Sequence, residues 1–458
     1  MHMISNRTPI VTVRYNHSES YCIAPIRYDL MKVHQIVASV VHSVPFLYTC
    51  KYSFETAWMN NLPNKPLLLA YPNITEWGLN KSLSKSIRIL GENVRRNLIN
   101  LDGNLSKISE HELVISRLET NKIPKVYVNT VRRSDIPLVS VKSSQENLLV
   151  IFIDGVSRPF AEIYLPQTLK LLQMWKDKLN LNYHTYLRYQ HFPDRSRGNR
   201  TPFFVGYSFK YLLKQKSFSK PSFQKTFSNA GYVTGYVSSS CEMGFWGPMA
   251  TNNTWLYSVP REFFVDVYHH HMLFCDENFI DLRQPIRPDK GPWSTGMHCM
   301  YGKQLSELSG MYASSFFHTY YDKQKFMYMD LIEMHDALGT NLESIDTVVR
   351  NTLQEFEKFT HNTTIVIYGD HPHFISLDRM YHLPYLSIIR PAHHKIPAEA
   401  ELNQQKLYTV YDLRSTLLDI FSINSNVQEH EGRNLYSDLS PSRSCAEAHV
   451  DIESCSCK

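Results

Sequence analysis

The stretch NLLVIFI, residues 147–153, runs directly into DGVSR, residues 154–158. Apart from its first residue the stretch is uninterruptedly apolar, and it is too short for a helix of ordinary length. A surface strand would alternate apolar and polar residues, whereas a central parallel strand is covered on both faces and needs no alternation. The segment therefore predicts a buried strand of a parallel sheet, with Asp154 at its carboxyl end.

Similar apolar runs recur along the rest of the chain and alternate with stretches of helical spacing. Strands that alternate with helices predict a doubly wound, mostly parallel α/β sheet across residues 147–440. The predicted strands are Tyr232–Val237, Phe326–Ile332, Thr364–Tyr368 and Pro384–Ile389. The predicted helices are Ile163–Lys178, Gln304–Tyr321, Leu342–Thr360 and Tyr411–Phe421.

Polar residues follow three of these strands, at the edge where sheets of this type bind ligands. Asp154 follows the first, and a carboxylate there is costly unless it is paired or holds a metal. Asp370 and His371 follow TIVIY, and together they offer an oxygen and an imidazole nitrogen, which suit zinc or manganese. The alternative for each is an ordinary turn or helix cap, with the histidine incidental.

The third strand end carries Glu333-Met334-His335-Asp336, where three ionisable groups crowd together. Their mutual charge and burial would perturb their pKa values. They could bind a metal, contact a substrate or form a solvated loop, and the sequence leaves these alternatives open.

The segment DRSRGNRTP, residues 194–202, combines hydroxyl groups with arginines. A helix N-terminus beside guanidinium groups is a good pocket for phosphate or sulfate, and it would use Arg195, Arg197 and Arg200. The alternative interpretation is that Thr201 is the N-cap of a helix whose first residue is Pro202.

The composition bounds the class of protein. With 458 residues, two domains are expected, and 43% hydrophobic and 20% charged residues are typical of a globular protein. The net charge of +5 is small and scattered, so no nucleic-acid partner is indicated. No run of 18 apolar residues occurs, so no membrane span is expected in this chain.

Two features favour the secretory pathway. Eight cysteines occur without a zinc-finger spacing, which suits disulfides in an oxidising compartment. Glycosylation acceptors of the N-x-S/T type occur at Asn6, Asn16, Asn73, Asn80, Asn104, Asn199, Asn252 and Asn362. The first thirty residues hold no apolar leader, so this prediction implies a leader or anchor outside the given sequence, and a cytosolic protein is the alternative.

These ordered motifs resemble the alkaline phosphatase superfamily, and more closely a sulfatase-like, functionally unassigned family abundant in nematodes and insects. Members of that family are secreted or type II membrane proteins. The resemblance covers most of the chain, from Cys22 and Cys50 through DGVSR and AGYVT (residues 230–234) to Asp370-His371 and the closing cysteines Cys445, Cys455 and Cys457. Along the chain we expect a disulfide-containing N-terminal module at 1–144, which ends at the Ser/Lys/Gln-rich stretch Val141–Glu146, an alkaline phosphatase-like domain at 145–440 and a cysteine-rich tail at 441–458.

The resemblance also implies roles for individual residues. Asp154, Asp370 and His371 would bind a divalent metal, which could be zinc, manganese or calcium. Spacing to Gly206 selects Ser196 as the nucleophile and matches Asn199 to the family asparagine, whereas helix-cap logic selects Thr201. His335 and the three arginines would contact the anionic group of a phosphate or sulfate ester, with a glycan or a lipid headgroup as the expected substrate.

The chain also departs from the family. It lacks the Cys-x-Pro-Ser-Arg motif of sulfatases that use a modified cysteine. Gly198 replaces the proline after the nucleophile, and Pro372 replaces the glycine after Asp370-His371. The residues before Leu383-Pro384 differ as well. A non-catalytic extracellular domain that binds a glycan or a protein is therefore the alternative to an enzyme.

Overall fold

The structure is a computed structural model. It describes residues 67–70, 99–101, 104–117, 125–133, 136, 146–193, 195–212, 214, 221–239, 269–273, 299–300, 303–335, 342–372, 383–423, 432–437, 443–451 and 454–455. Cys22, Cys50, Asp194, Asp336 and Cys457 lie outside these residues.

The N-terminal part of the described chain forms a small antiparallel sheet with the strand order β2-β1-β3-β4. Its strands are β1 (Leu67–Ala70), β2 (Ile99–Asn100), β3 (Leu113–Arg117) and β4 (Lys125–Val128). Leu113, Val126 and Val128 belong to the same apolar cluster as the main sheet's side chains. The backbone N–H of Thr130 also donates to Ser315 Oγ at 2.8 Å. The small sheet therefore packs directly on the larger fold.

A seven-stranded sheet forms the centre, in the order β6-β14-β13-β5-β12-β8-β9. The five strands from β13 to β9 run parallel to one another, while β14 and β6 are antiparallel to their neighbours. The strands from β5 onward are β5 (Asn147–Ile153), β6 (Asn182–Thr185), β7 (Arg188–Tyr189), β8 (Val233–Ser238), β9 (His269–Leu273), β10 (Cys299–Met300), β11 (Lys303–Gln304), β12 (Lys325–Leu331), β13 (Thr363–Tyr368), β14 (Leu386–Arg390) and β15 (Leu407–Tyr408).

Helices cover both faces of this sheet. In the described chain they are α1 (Arg158–Tyr164), α2 (Pro166–Leu179), α3 (Arg195–Val205), α4 (Phe209–Leu212), α5 (Phe223–Asn229), α6 (Leu305–Thr319), α7 (Leu342–Phe356), α8 (Glu399–Asn403) and α9 (Val410–Ile420). Short 3₁₀ helices span Leu105–Glu110, Glu333–His335 and Glu357–Asn362.

The central strand β5 shows why its sequence does not alternate. Leu149, Ile151 and Ile153 enter the cluster that holds the apolar residues of α1, α2, α6 and α7. Leu148, Val150 and Phe152 enter the opposite cluster, with α3, α5 and α9. Successive side chains point to opposite faces of a strand. Because both faces of β5 are covered by helices, every position from Leu148 to Ile153 is apolar.

The predicted fold class is confirmed, since the sheet is mixed but mostly parallel and lies between helical layers. The predicted strands lie within two residues of the observed ones. One direction differs: Pro384–Ile389 becomes β14, which is antiparallel to β13. No helix in the described part of the chain is both long and apolar enough to cross a bilayer. The disulfide among the described residues joins Cys445 and Cys455 in the C-terminal tail, and not residues of the N-terminal module.

Candidate active site

Adjacent strands bring the predicted metal ligands together. β5 and β13 are neighbours and run parallel, so Asp154 and Asp370 leave the sheet at the same edge. The N–H of Gly155 donates to Asp370 Oδ1 at 3.2 Å, which fixes one carboxylate to the turn that carries the other. One ligand atom from each of Asp154, Asp370 and His371 lies within 4.8 Å of the others, and all three residues are buried.

The imidazole of His371 is oriented by its own backbone. Nδ1 lies 2.7 Å from Pro372 O, and because a carbonyl only accepts, Nδ1 carries the proton. Nε2 then faces the carboxylates, 3.3 Å from Asp154 Oδ1 and 3.9 Å from Asp370 Oδ1. Metal-binding histidines are usually held this way, with the second nitrogen hydrogen-bonded.

Ser196 lies in the same cluster. It is the second residue of α3, and its Oγ is 3.1 Å from His371 Nε2 and 3.3 and 3.4 Å from the two oxygens of Asp154. Asn199, one turn further, accepts from the backbone N–H of Phe192 at 2.7 Å and donates to its carbonyl at 3.1 Å. The reciprocal pair ties the start of α3 to the segment before it.

Arg200 is directed into the protein. Its Nη2 donates to Asp330 Oδ2 at 2.5 Å, Nη1 is 3.9 Å from Asp154 Oδ2, and the guanidinium lies 4.6 Å from the centre of the Phe152 ring. The hydroxyl of Tyr236 donates to the same Asp330 oxygen. Burial opposes the charge on Arg200, but Asp330 and Tyr236 outweigh it and raise the pKa of the guanidinium.

The electrostatics of the cluster favour a cation. Burial and the nearby Asp154 carboxylate raise the pKa of Asp370 to about 6. Burial alone would lower the pKa of His371, but Asp370 and Asp154 raise it to about 9. Asp370 Oδ2 is buried and has no hydrogen-bond partner within the described structure. Two crowded carboxylates and an unpartnered oxygen leave negative charge that a metal ion would satisfy.

The spacing of the donor atoms provides a second test of fit. Four ligands about 2 Å from a tetrahedral zinc lie about 3.3 Å from one another. Ser196 Oγ lies 3.1 Å from His371 Nε2 and 3.3 and 3.4 Å from the two oxygens of Asp154. His371 Nε2 lies 3.3 Å from Asp154 Oδ1 and 3.9 Å from Asp370 Oδ1. The residues present therefore fit a divalent metal of the zinc or manganese kind.

The other predicted site residues are distributed as follows. Thr201 is fully buried within α3, so the interpretation of Thr201 as a helix cap is wrong: the helix begins at Arg195, and Pro202 lies inside it. His335 ends the 3₁₀ helix after β12. The side chains of His335, Arg195 and Arg197 lie outside the described part of the structure.

Glu333 stabilises the fold at the third strand end. Its carboxylate accepts from Ser239 Oγ at 2.8 Å and from the N–H of Ser306 at 2.9 Å, so it joins the ends of β8 and β12 to the start of α6. Burial raises its pKa. Of the three alternatives for this strand end, the solvated loop is therefore excluded for Glu333.

Two residues next to the cluster were missed by the sequence analysis. Asp330 lies inside β12 and Tyr236 inside β8, and neither is at the end of its strand. A signal was present, because a carboxylate within the run KFMYMDL must be paired to be buried.

No protein-family model matches the chain, and no curated protein matches it significantly. Solved structures give distant similarities. The C-terminal periplasmic domain of EcEptC from Escherichia coli, in complex with zinc, has 11% identity and a TM-score of 0.44, covering 65% of this chain and 89% of that one. Lipoteichoic acid synthase LtaP from Listeria monocytogenes has 11% identity and a TM-score of 0.44, covering 66% and 78%.

A third structure, from Vibrio parahaemolyticus, is described as a protein in the alkaline phosphatase superfamily, with 12% identity, a TM-score of 0.45 and coverage of 67% and 73%. At these values the likenesses carry no argument about the activity or the family of this chain. None of these three structures is described as a member of the family abundant in nematodes and insects.

Proposed function

We propose that this protein is a metal-dependent enzyme that hydrolyses or transfers a phosphate or sulfate ester, with Ser196 as its nucleophile. The observation that carries the proposal is the position of Ser196 Oγ, 3.1 Å from His371 Nε2 and 3.3 Å from Asp154 Oδ1. A hydroxyl group is thereby placed among three buried residues that can ligate a metal.

In the proposed reaction, the Ser196 oxygen forms a bond to phosphorus or sulfur, and the bond to the ester oxygen breaks. The serine proton leaves with the departing alcohol. Water, or the hydroxyl group of an acceptor, then takes the phosphoryl or sulfuryl group and returns a proton to Ser196. A divalent metal held by Asp154, Asp370 and His371 would lower the pKa of the hydroxyl and neutralise developing charge.

The protein supplies the remaining requirements. The hydrogen bonds of Asn199 to Phe192 fix the first turn of α3, and the contact with Pro372 fixes the ring of His371. Arg195 and Arg197 are the arginines of this segment that we propose to bind the ester anion, together with His335. Arg200 is already paired with Asp330, and we propose that its positive charge stabilises the Asp154 carboxylate instead of binding the ester anion.

Metal content tests the first half of the proposal. Mass spectrometry of the purified protein should find about one zinc, manganese or calcium ion per chain, and Asp370→Ala/His371→Ala should lose it. A matched control removes another histidine–carboxylate pair, His184 and Glu401, whose side chains lie 3.5 Å apart. The His184→Ala/Glu401→Ala variant should keep its metal.

Turnover tests the nucleophile. Wild-type protein should cleave 4-nitrophenyl phosphate, bis(4-nitrophenyl) phosphate or 4-nitrophenyl sulfate, and which of these it prefers decides the class of ester. Ser196→Ala should keep the metal and lose at least about 10³-fold in turnover. The same loss in Thr201→Val, with Ser196→Ala active, would assign the reaction to Thr201 instead.

A non-catalytic domain that binds a glycan or a protein is the second candidate. The observation in its favour is Arg200, which faces Asp330 rather than an open anion pocket. Such a domain has no need of a metal. Protein without metal, even after incubation with zinc or manganese, would contradict the enzyme and leave this alternative.

We further propose that the protein works in the secretory lumen or outside the cell, on a glycan or lipid headgroup. The Cys445–Cys455 disulfide supports an oxidising compartment. When the protein is produced in a secreting cell, we expect treatment with an N-glycosidase to remove glycans and lower its measured mass. Protein without glycans and with all cysteines reduced would contradict this location.

A further inference from the structure

The segment before α3 connects the candidate nucleophile to the end of the chain. After β7, residues 190–193 (the lead-in segment) run into α3 and Ser196. Gln190 is fully buried, its N–H donates to Tyr408 O at 2.7 Å, and its side-chain Nε2 donates to Ser454 O at 2.8 Å. The lead-in segment is therefore bound directly to the residue before Cys455.

Phe192 makes the second connection. Its side chain packs against an apolar cluster that contains Leu383, Leu407, Cys445, Ala448, Val450 and Cys455. Its backbone N–H and carbonyl are both bonded to the Asn199 side chain, one turn beyond Ser196. Contacts thus run without interruption from the C-terminal cysteines through Phe192 to α3.

The C-terminal end of this connection is closed on itself. The disulfide joins Cys445 and Cys455, which are 10 positions apart in the sequence, and we call the segment that it closes the C-terminal disulfide loop (residues 445–455). Within it, Val450 N–H donates to Cys445 O at 2.8 Å, and Ser454 N–H donates to Asp451 O at 2.9 Å. A cross-linked loop has fewer conformations than an open tail, so it offers a firmer surface to the lead-in segment.

We propose that the C-terminal disulfide loop is a positioning element for the active site: it holds the lead-in segment and thereby fixes Ser196 against Asp154 and His371. The part about catalysis rests on the function proposed above, while the mechanical connection does not. A displacement of about 1 Å at a reacting group can cost about 10²-fold in rate, so this support matters although the loop touches no substrate.

Hydrogen exchange tests the mechanical connection. Two variants break it at different points: Cys445→Ala/Cys455→Ala opens the loop, and Gln190→Met removes the donor to Ser454 while keeping a side chain of similar size. Backbone amides of residues 195–205 should exchange about tenfold faster in both, with those of β5 and β13 unchanged. Gln173→Met is the control, because it removes a side-chain amide whose 2.9 Å bond is to Asp177 on the exposed face of α2.

The cobalt(II) spectrum tests the position of Ser196 without any substrate. With the metal bound, the visible bands of the two connection variants should shift toward those of Ser196→Ala, since the hydroxyl is no longer held near the ligands. A loop that merely stabilises the fold would lower the unfolding midpoint and leave the spectrum of the folded protein unchanged.

The outcomes separate the two proposals. If wild-type protein binds no cobalt, the metal-dependent function is wrong, and the exchange rates still decide the connection. If the cysteine variant does not fold, Gln190→Met decides it alone. Unchanged exchange in residues 195–205 of Gln190→Met would overturn the positioning role.

Discussion

Arg200 remains charged inside the protein because Asp330 matches it. Arg200→Met would leave Asp330 buried without its ion partner, and we expect a loss of about 3–5 kcal/mol in the free energy of unfolding. Asp330→Asn should also destabilise, but the double variant should lose much less than the sum, because neither charge is then stranded. Urea unfolding measures all three variants, and additive losses would contradict the pairing.

The exposed pair Arg132–Asp322 gives a matched control for this experiment. Its atoms are 2.8 Å apart, comparable to the buried pair, but the two side chains are 37% and 31% exposed. Solvent screens such a pair and already hydrates each partner. Arg132→Met should therefore cost less than about 1 kcal/mol.

Asn199 belongs to an acceptor sequence that the fold closes off. Its amide is bonded to both backbone groups of Phe192, and the residue is only 1% exposed, so a glycan cannot be accommodated there. Asn104, in contrast, is exposed. We expect Asn104→Gln to remove one glycan from the secreted protein and Asn199→Gln to remove none, as measured by intact mass. A glycan on folded protein at Asn199 would contradict this arrangement.

From the pattern of residues alone, without the family resemblance that selected Ser196, the candidate site could be predicted only where ionisable residues follow a strand. Asp154, Asp370 and His371 follow apolar runs, so their convergence follows from parallel neighbouring strands. The direction in which a long side chain points cannot be predicted from the sequence. The orientation of Arg200 depends on Asp330, which is distant in the chain and inside another strand.

At the level of secondary structure, α9 carries one buried arginine without an ion partner. Arg414 is completely buried, and within the described chain Nε, Nη1 and Nη2 have no hydrogen-bond acceptor; the guanidinium lies 5.3 Å from the centre of the Phe223 ring. Burial lowers its pKa to about 10. Because the charge is desolvated without compensation, Arg414→Met should raise the free energy of unfolding by about 1–3 kcal/mol.

Arg443 is the matched comparison, since it is also buried but paired. Its Nη1 donates to Asp412 Oδ2 at 2.7 Å, and Asp412 closes the capping box at the start of α9. Arg443→Met should lower the free energy of unfolding by about 3 kcal/mol, because it strands the carboxylate. Equal effects of the two substitutions, measured by urea unfolding, would contradict this account.

The elements themselves were predictable to different degrees. β5 is observed with the predicted bounds, because an unbroken run of six apolar residues, Leu148–Ile153, is typical of a strand covered on both faces. The antiparallel direction of β14 was not predictable, since a buried strand has the same composition in either direction. The start of α3 was also missed. A helix cap is inferred from the residues next to it, whereas the start of α3 is held by hydrogen bonds between the Asn199 side chain and the backbone of Phe192.

Across the whole molecule, the candidate site lies at one edge of the sheet, and charged groups that are paired within the fold lie at the other. The carboxyl edge holds the candidate site with its unpartnered Asp370 oxygen. At the amino edge, charged groups are bonded within the fold: Glu146 accepts from Arg390 Nη2 at 2.7 Å, and Lys325 Nζ donates to Lys323 O at 2.8 Å and Tyr320 O at 2.9 Å. Substitutions at the amino edge should therefore change stability without changing the metal.

Lys325 makes the stability of the whole protein depend on alkaline pH. Burial lowers its pKa from 10.5 to about 8. Below about pH 8 the lysine is charged in both the folded and the unfolded chain, so the desolvation cost is fully present. Between about pH 8 and 10.5 the unfolded chain binds the extra proton, and the free energy of unfolding rises with pH.

The difference between the two pKa values corresponds to about 3 kcal/mol at most. Both hydrogen bonds persist at high pH, because a neutral amine still has two hydrogens to donate. Relative to Lys325→Met, wild-type protein should therefore gain up to about 3 kcal/mol between pH 7 and 10.5 in urea unfolding. Lys170→Met, at an exposed position of α2, controls for the loss of one positive charge. A wild-type and Lys325→Met difference that stays constant across this range would show that Lys325 titrates alike in both states.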